Sequence, residues 1–117
     1  MPDWRTLEPG PELDAIAAER VFGATIHEGG FGLYWTLPGE RPVSDQRPLP
    51  HLSTNDGAAL ELLDLLGGPV TLKRLMVNGR DEWQVTIAGW TMWAPTLPHA
   101  ICRAALACTE ITEVANA

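Results

Sequence analysis

The chain has 117 residues, 45% of them hydrophobic and 20% charged, and eight basic against fifteen acidic side chains leave a net charge of −7. That length suits one globular domain, and the composition excludes wholesale disorder. No apolar run approaches the roughly 18 residues of a membrane span, and an acidic chain lacks the basic face that nucleic-acid backbones require. The acids are scattered rather than laid out in a run, which fits a solvated surface better than a mimic of DNA. The opening "MPDWRTLEPGPELD" has no basic segment leading into an apolar stretch, so the sequence predicts no secretory signal and a cytoplasmic location.

Residues 1–11 carry Pro2, Pro9, Gly10 and Pro11 and are expected to form an irregular lead-in to a single domain over 12–110, with 111–117 as a tail. Leu13, Ile16, Ala17 and Val21 recur near the helical period, and Gly23 stops a helix predicted over 12–22. Apolar runs at 24–26 and 31–37 flank Glu28-Gly29-Gly30, which predicts a hairpin. Four prolines over 38–50 predict a surface loop.

"HLSTNDGAALELLDLLGG" is the clearest helix. Ser53 and Asp56 have the spacing of a capping box, with Thr54 and Asn55 as alternative caps. Ala58, Ala59, Leu62, Leu63 and Leu66 form the apolar stripe, and Gly67 gives a left-handed stop. Beyond Pro69, Asn78-Gly79 marks a tight turn between two β-rich runs, and Thr91–Ala94 adds a third antiparallel strand.

The last helix, "TLPHAICRAALAC", has Thr96 as a cap and Pro98 in its first turn. Ile101, Ala104, Ala105 and Cys108 make one stripe of mostly small residues, suited to lying close on a sheet. Cys102 and Cys108 are separated by about 9 Å along the axis and by about 240° around it, which rules out a disulfide within the helix. Both are therefore expected to be reduced packing residues.

Two stretches together resemble the phage ABA sandwich domain, a family of small bacteriophage and prophage proteins. "HLSTNDGAALELLDLL" is similar to the family's Tyr-Ser-Thr-Asp stretch and the alanine-rich helix after it, matching at Ser53, Thr54, Ala58, Ala59 and Glu61. "TLPHAICRAALA" is similar to its closing helix, at Pro98 and from Ala100 to Leu106, and "ELDAIAAERVFG" to its first. Leu52 replaces the family's tyrosine, Asn55 its aspartate and Leu60 a common tryptophan, so no role tied to those residues carries over. The resemblance spans about residues 12 to 108. It implies an α+β fold, an α–β–α sandwich of three helices on a mainly antiparallel sheet of about four to five strands. It also implies a phage or prophage accessory role and transfers no catalytic residue.

The chemistry-bearing residues point the same way. His27, His51 and His99 share no metal-ligand spacing, no phosphate loop or nucleophile elbow is present, and no cofactor is expected. A non-enzymatic binding module is the expected function, with a protein partner and with self-association among its modes. Of five tryptophans, Trp35 and Trp83 fall on apolar strand faces, while Trp90 and Trp93 form a candidate partner patch. The alternative function is phage counter-defence, by binding and sequestering a host nucleotide signal at the start of the second helix with His51, Ser53, Thr54 and Asn55, helped by Lys73 or Arg80. A small hydrolase is the weaker alternative.

Overall fold

The computed structural model describes residues 3–29, 32–41, 44–66 and 69–115, with side chains as far as Thr109. The elements run α1 (Pro11–Phe22), β1 (Thr25–Gly29), β2 (Gly32–Thr36), β3 (Arg47–Pro48), α2 (Asp56–Leu66), β4 (Val70–Val77), β5 (Arg80–Ile87), β6 (Trp90–Ala94) and α3 (Leu97–Ala115). The fold is thus α+β, with three helices and two three-stranded antiparallel sheets ordered β1-β2-β3 and β4-β5-β6.

Local chemistry explains the boundaries. Pro11 opens α1, where its missing N–H costs nothing, and Gly23 closes it at a left-handed φ of 69°. The Ala24 N–H then reaches back to the Ala18 carbonyl at 3.2 Å. In the second sheet, Asn78-Gly79 and Ala88-Gly89 both adopt positive φ at their two central positions, the geometry that matches the twist of a tight hairpin. Gly67, expected to stop α2, and Gly30 in the first hairpin lie outside the described residues.

The single sheet of four to five strands is corrected to two separate sheets. The helices do not cover the two faces of one sheet as an α–β–α sandwich would require. Instead α3 packs on β5 and β6 and also against α1 and α2. From Pro98 to Ala107 every residue except Arg103 is buried, and Ala100, Ile101, Cys102, Ala104, Ala105 and Leu106 are all 0% exposed. At 100° per residue, such a run leaves no open side. The small residues expected on one stripe therefore serve the whole circumference of the helix, because neighbouring elements approach it from every direction.

Around this axis gather Leu13, Ile16 and Ala17 of α1, Ala59 and Leu62 of α2, and Val85 and Ile87 of β5. The proline-rich lead-in also contributes, since Trp4 is only 2% exposed within the same core. The loop over 38–50 holds β3, which pairs with β2, and Leu49, which is buried. Beside it Phe22 meets Trp35 edge to face at 5.2 Å, and Arg47 covers the other aromatic partner at 5.3 Å from the Trp35 ring. The backbone of α3 continues to Ala115, through most of the segment expected as a tail.

Because α3 is enclosed, adding volume to it has nowhere to go. Ala104→Leu is expected to lower stability by about 1–3 kcal/mol in urea unfolding. Leu65→Ala, at a side chain 61% exposed, should stay within about 0.5 kcal/mol.

Candidate binding site

Ser53 does not cap α2. Asn55 does, its Oδ1 accepting the Ala58 N–H at 2.9 Å. Ser53 is 0% exposed and bonds instead to Asp14, in the first turn of α1. Its Oγ–H donates to the Asp14 Oδ1 at 2.6 Å, its backbone N–H donates to the same oxygen at 2.7 Å, and its Oγ accepts the Gly10 N–H at 2.8 Å. The buried carboxylate also has the favourable field of the α1 N-terminus. One aspartate thus fixes the segment before α2 against the start of α1.

That clamp positions a cleft of about 480 Å³ between the N-terminal ends of α2 and α3 and the inner face of β5. Trp83, Pro95, Leu97 and Pro98 supply apolar walls, and Thr54, Asp56, Asp81 and Thr96 supply polar groups. Arg74 donates to Asp81 at 2.7 Å, and that hydrogen bond, with the Arg74 charge, holds the Asp81 carboxyl below the usual carboxylate range. Two carboxylates thus line a cleft that a phosphate would have to share with them.

The nucleotide set is not brought together. Ser53 and Thr54 line this cleft, but His51 lines a separate hollow with Asp14, Leu33 and Leu49. Lys73 and Arg80 lie on the sheet face opposite to Asp81 and Trp83, by the alternation of β4 and β5 and their register. Asn55 spends its side-chain oxygen on the helix cap.

Histidine chemistry is equally dispersed. His99 is 4% exposed, and its Nε2 meets the Leu7 carbonyl at 3.2 Å. It lines a smaller hollow with Glu8, Thr96 and Arg103, where the Arg103 Nη1 donates to the Trp93 carbonyl at 2.8 Å. His27 Nε2 lies 3.0 Å from Thr36 Oγ1, yet that threonine is 3% exposed and lines none of these hollows. Neither cysteine is held in a disulfide, and burial, then the Asp14 charge, pushes the Cys102 thiol far up, away from reactivity. Among the described residues, no three His, Cys, Asp or Glu side chains gather as a metal site would need.

The tryptophan patch divides as well. Trp90 and Trp93 are 39% and 47% exposed, but an odd spacing along β6 puts them on opposite faces. The larger exposed surface is one that sequence reasoning missed: β4, exposed from Thr71 to Val77, with Leu72, Leu75, Met76 and Val77 all open to solvent. An apolar β-rich run normally signals a core strand, so only the tertiary structure reveals it.

Two measurements test the groups that hold this region. Ser53→Ala leaves the Gly10 N–H and half of the Asp14 bonding unmet and should cost about 1.5–3 kcal/mol, against about 0.5 kcal/mol or less for Thr54→Ala. Burial, helped by the Arg103 charge, holds the His99 imidazole below its ordinary value of 6.5, with the Leu7 carbonyl and Glu8 opposing. The unfolded chain therefore takes up this proton more readily. The stability tied to His99 is complete above pH 6.5 and declines as pH falls through the lower folded value. His99→Gln should flatten that part of the slope in unfolding curves taken between about pH 7.5 and about pH 5.

No family model matches the chain, and no curated protein matches it. Among solved structures, it is similar to a phage protein from Bacillus cereus ATCC 14579, at 20% identity and a TM-score of 0.63, over 94% of this chain and 90% of that one. The chain shares its fold with a phage protein.

Proposed function

We propose that the chain is a non-enzymatic accessory protein of a phage or prophage, of the phage ABA sandwich kind, acting in the bacterial cytoplasm as a small binding module. Its docking surface is the β4 edge. The observation that carries this reading is the exposure of β4 along nearly its whole length, at the rim of a sheet and bearing four large apolar side chains. Leu72 and Met76 stand on one face of the sheet and Leu75 and Val77 on the other, and soluble proteins rarely leave such a strand edge unattended. The fold shared with a Bacillus phage protein supports the phage setting. Two cysteines outside any disulfide suit a reducing compartment.

Hydrolysis is the poorer reading, because no exposed nucleophile described above meets a histidine. Nucleotide capture is also disfavoured. The cleft that offers Trp83 and two helix ends carries Asp56 and Asp81, while Lys73 and Arg80 stand on the other side of the sheet.

A photo-crosslinking residue placed at Met76, which is 69% exposed, tests the docking surface inside bacterial cells. Adducts are expected from this position and not from Glu19, which is exposed on α1. Absence of any adduct at Met76, with self or with another protein, would contradict the reading.

A further inference from the structure

Among the described residues β4 has β5 as its one strand neighbour, so its other side presents an unpaired edge of backbone amides and carbonyls along the strand. Proteins usually blunt such edges with proline, bulges, very short strands or charged side chains, and of these devices β4 has Lys73 and Arg74 alone. Between Val70 and Val77 there is no proline, and the pairing to β5 is unbroken from end to end. What the strand does carry is a pattern that complements itself. We propose that β4 pairs antiparallel with β4 of a second copy about a two-fold axis, joining the two β4-β5-β6 sheets into one continuous sheet. This rests on the reading of β4 as the docking surface and names its occupant.

The register follows from charge. A two-fold axis normal to the sheet sets each residue opposite one of the same parity, since facing residues must share a face. Centring the axis on Arg74 pairs the strand from Thr71 to Val77. Leu72 then faces the partner's Met76, and the apolar row Met92–Val85–Leu72 runs on into the second copy. Each Arg74 faces the partner's Arg74, but each is already hydrogen-bonded to its own Asp81, so the four charges balance. On the other face, Lys73 sits beside the partner's Leu75, with the partner's Glu82 on the next strand.

Centring on Lys73 instead sets two lysines face to face. The residue beside Lys73 on β5 is Gln84, and Glu82 stands diagonal to Lys73 as Asp81 does to Arg74 but, among the described residues, without the hydrogen bond that ties Arg74 to Asp81; Leu72 then faces the partner's Arg74. Centres on Lys73 and on Arg74 each pair seven residues, against five for a centre on Leu72 or Leu75, and of these two the Arg74-centred register is favoured because each facing cation is neutralised by a hydrogen-bonded carboxylate. The chain's charge of −7 would repel a second copy at most faces. β4 carries two cations and no acid, and contact there avoids that repulsion. An extended segment of another protein could use the same edge by strand addition, and the experiment separates it from self-pairing.

Sedimentation equilibrium of the full chain should give twice the 12.7 kDa mass of one copy. Met76→Lys alters a side chain already in solvent, so the monomer should keep its circular dichroism spectrum. Placing a charge against Leu72 across the seam should weaken the dimer by about tenfold or more. Lys73→Glu, which brings two acids together, should weaken it by several-fold, and the Lys73→Glu/Glu82→Lys double variant should restore it. The proposal is overturned by a single-copy mass at all concentrations, by a dimer indifferent to Met76→Lys, or by a charge swap that fails to restore pairing. If the purified chain is a single copy while Met76 crosslinks to other proteins in cells, self-pairing fails and the docking surface stands. If Met76 yields no adduct at all, both fall.

Discussion

The constraint on which the structure depends is the enclosure of α3. A helix covered on all sides must be narrow enough for its neighbours to reach one another around it. Ala100, Cys102, Ala104, Ala105 and Ala107 supply that narrowness, with Ile101 and Leu106 filling the spaces between layers. The helix in turn decides what else is fixed. The β4-β5-β6 sheet is held through β5 and β6, where Cys108 Sγ also reaches the Ile87 carbonyl at 3.3 Å. The first and second helices are held from the other side, leaving β4 as the strand farthest from the core.

This arrangement separates stability from interaction. The polar groups best placed for chemistry are occupied with holding the fold: Asp14 and Ser53 with each other, Asn55 with a helix end, His99 with the lead-in. A buried carboxylate that accepts two hydrogen bonds resists replacement because its loss would strand the donors around it. Among the described residues, the β4 edge is left without a strand partner. The binding module proposed above would use this division, with a rigid interior and a strand edge open to another chain.

Much of the fold was legible in the sequence because the signals were local. Pro11 and Gly23 delimit α1, Asn78-Gly79 places the β4–β5 turn, and Thr96 and Pro98 mark the start of α3. What escaped was what depends on distant partners. Ser53 has the spacing of a cap, and only an aspartate 39 residues earlier reveals its role. Trp4 lies in a proline-rich lead-in that gives no hint of burial. Two sheets and one sheet produce the same alternation along each strand, so sheet membership could not be read. For the candidate site the failure is sharper. Lys73 and Arg80 stand on the sheet face turned away from the cleft that Ser53 and Thr54 line, and nothing local in β4 marks its apolar residues as exposed.

Backbone amide exchange tests the central claim most directly. An enclosed α3 predicts the slowest exchange in the chain over residues 100–107 and along β5, released only by global unfolding. Exchange of the α3 amides as fast as at the ends of α1 would contradict it, because a helix shielded from every side cannot open on its own.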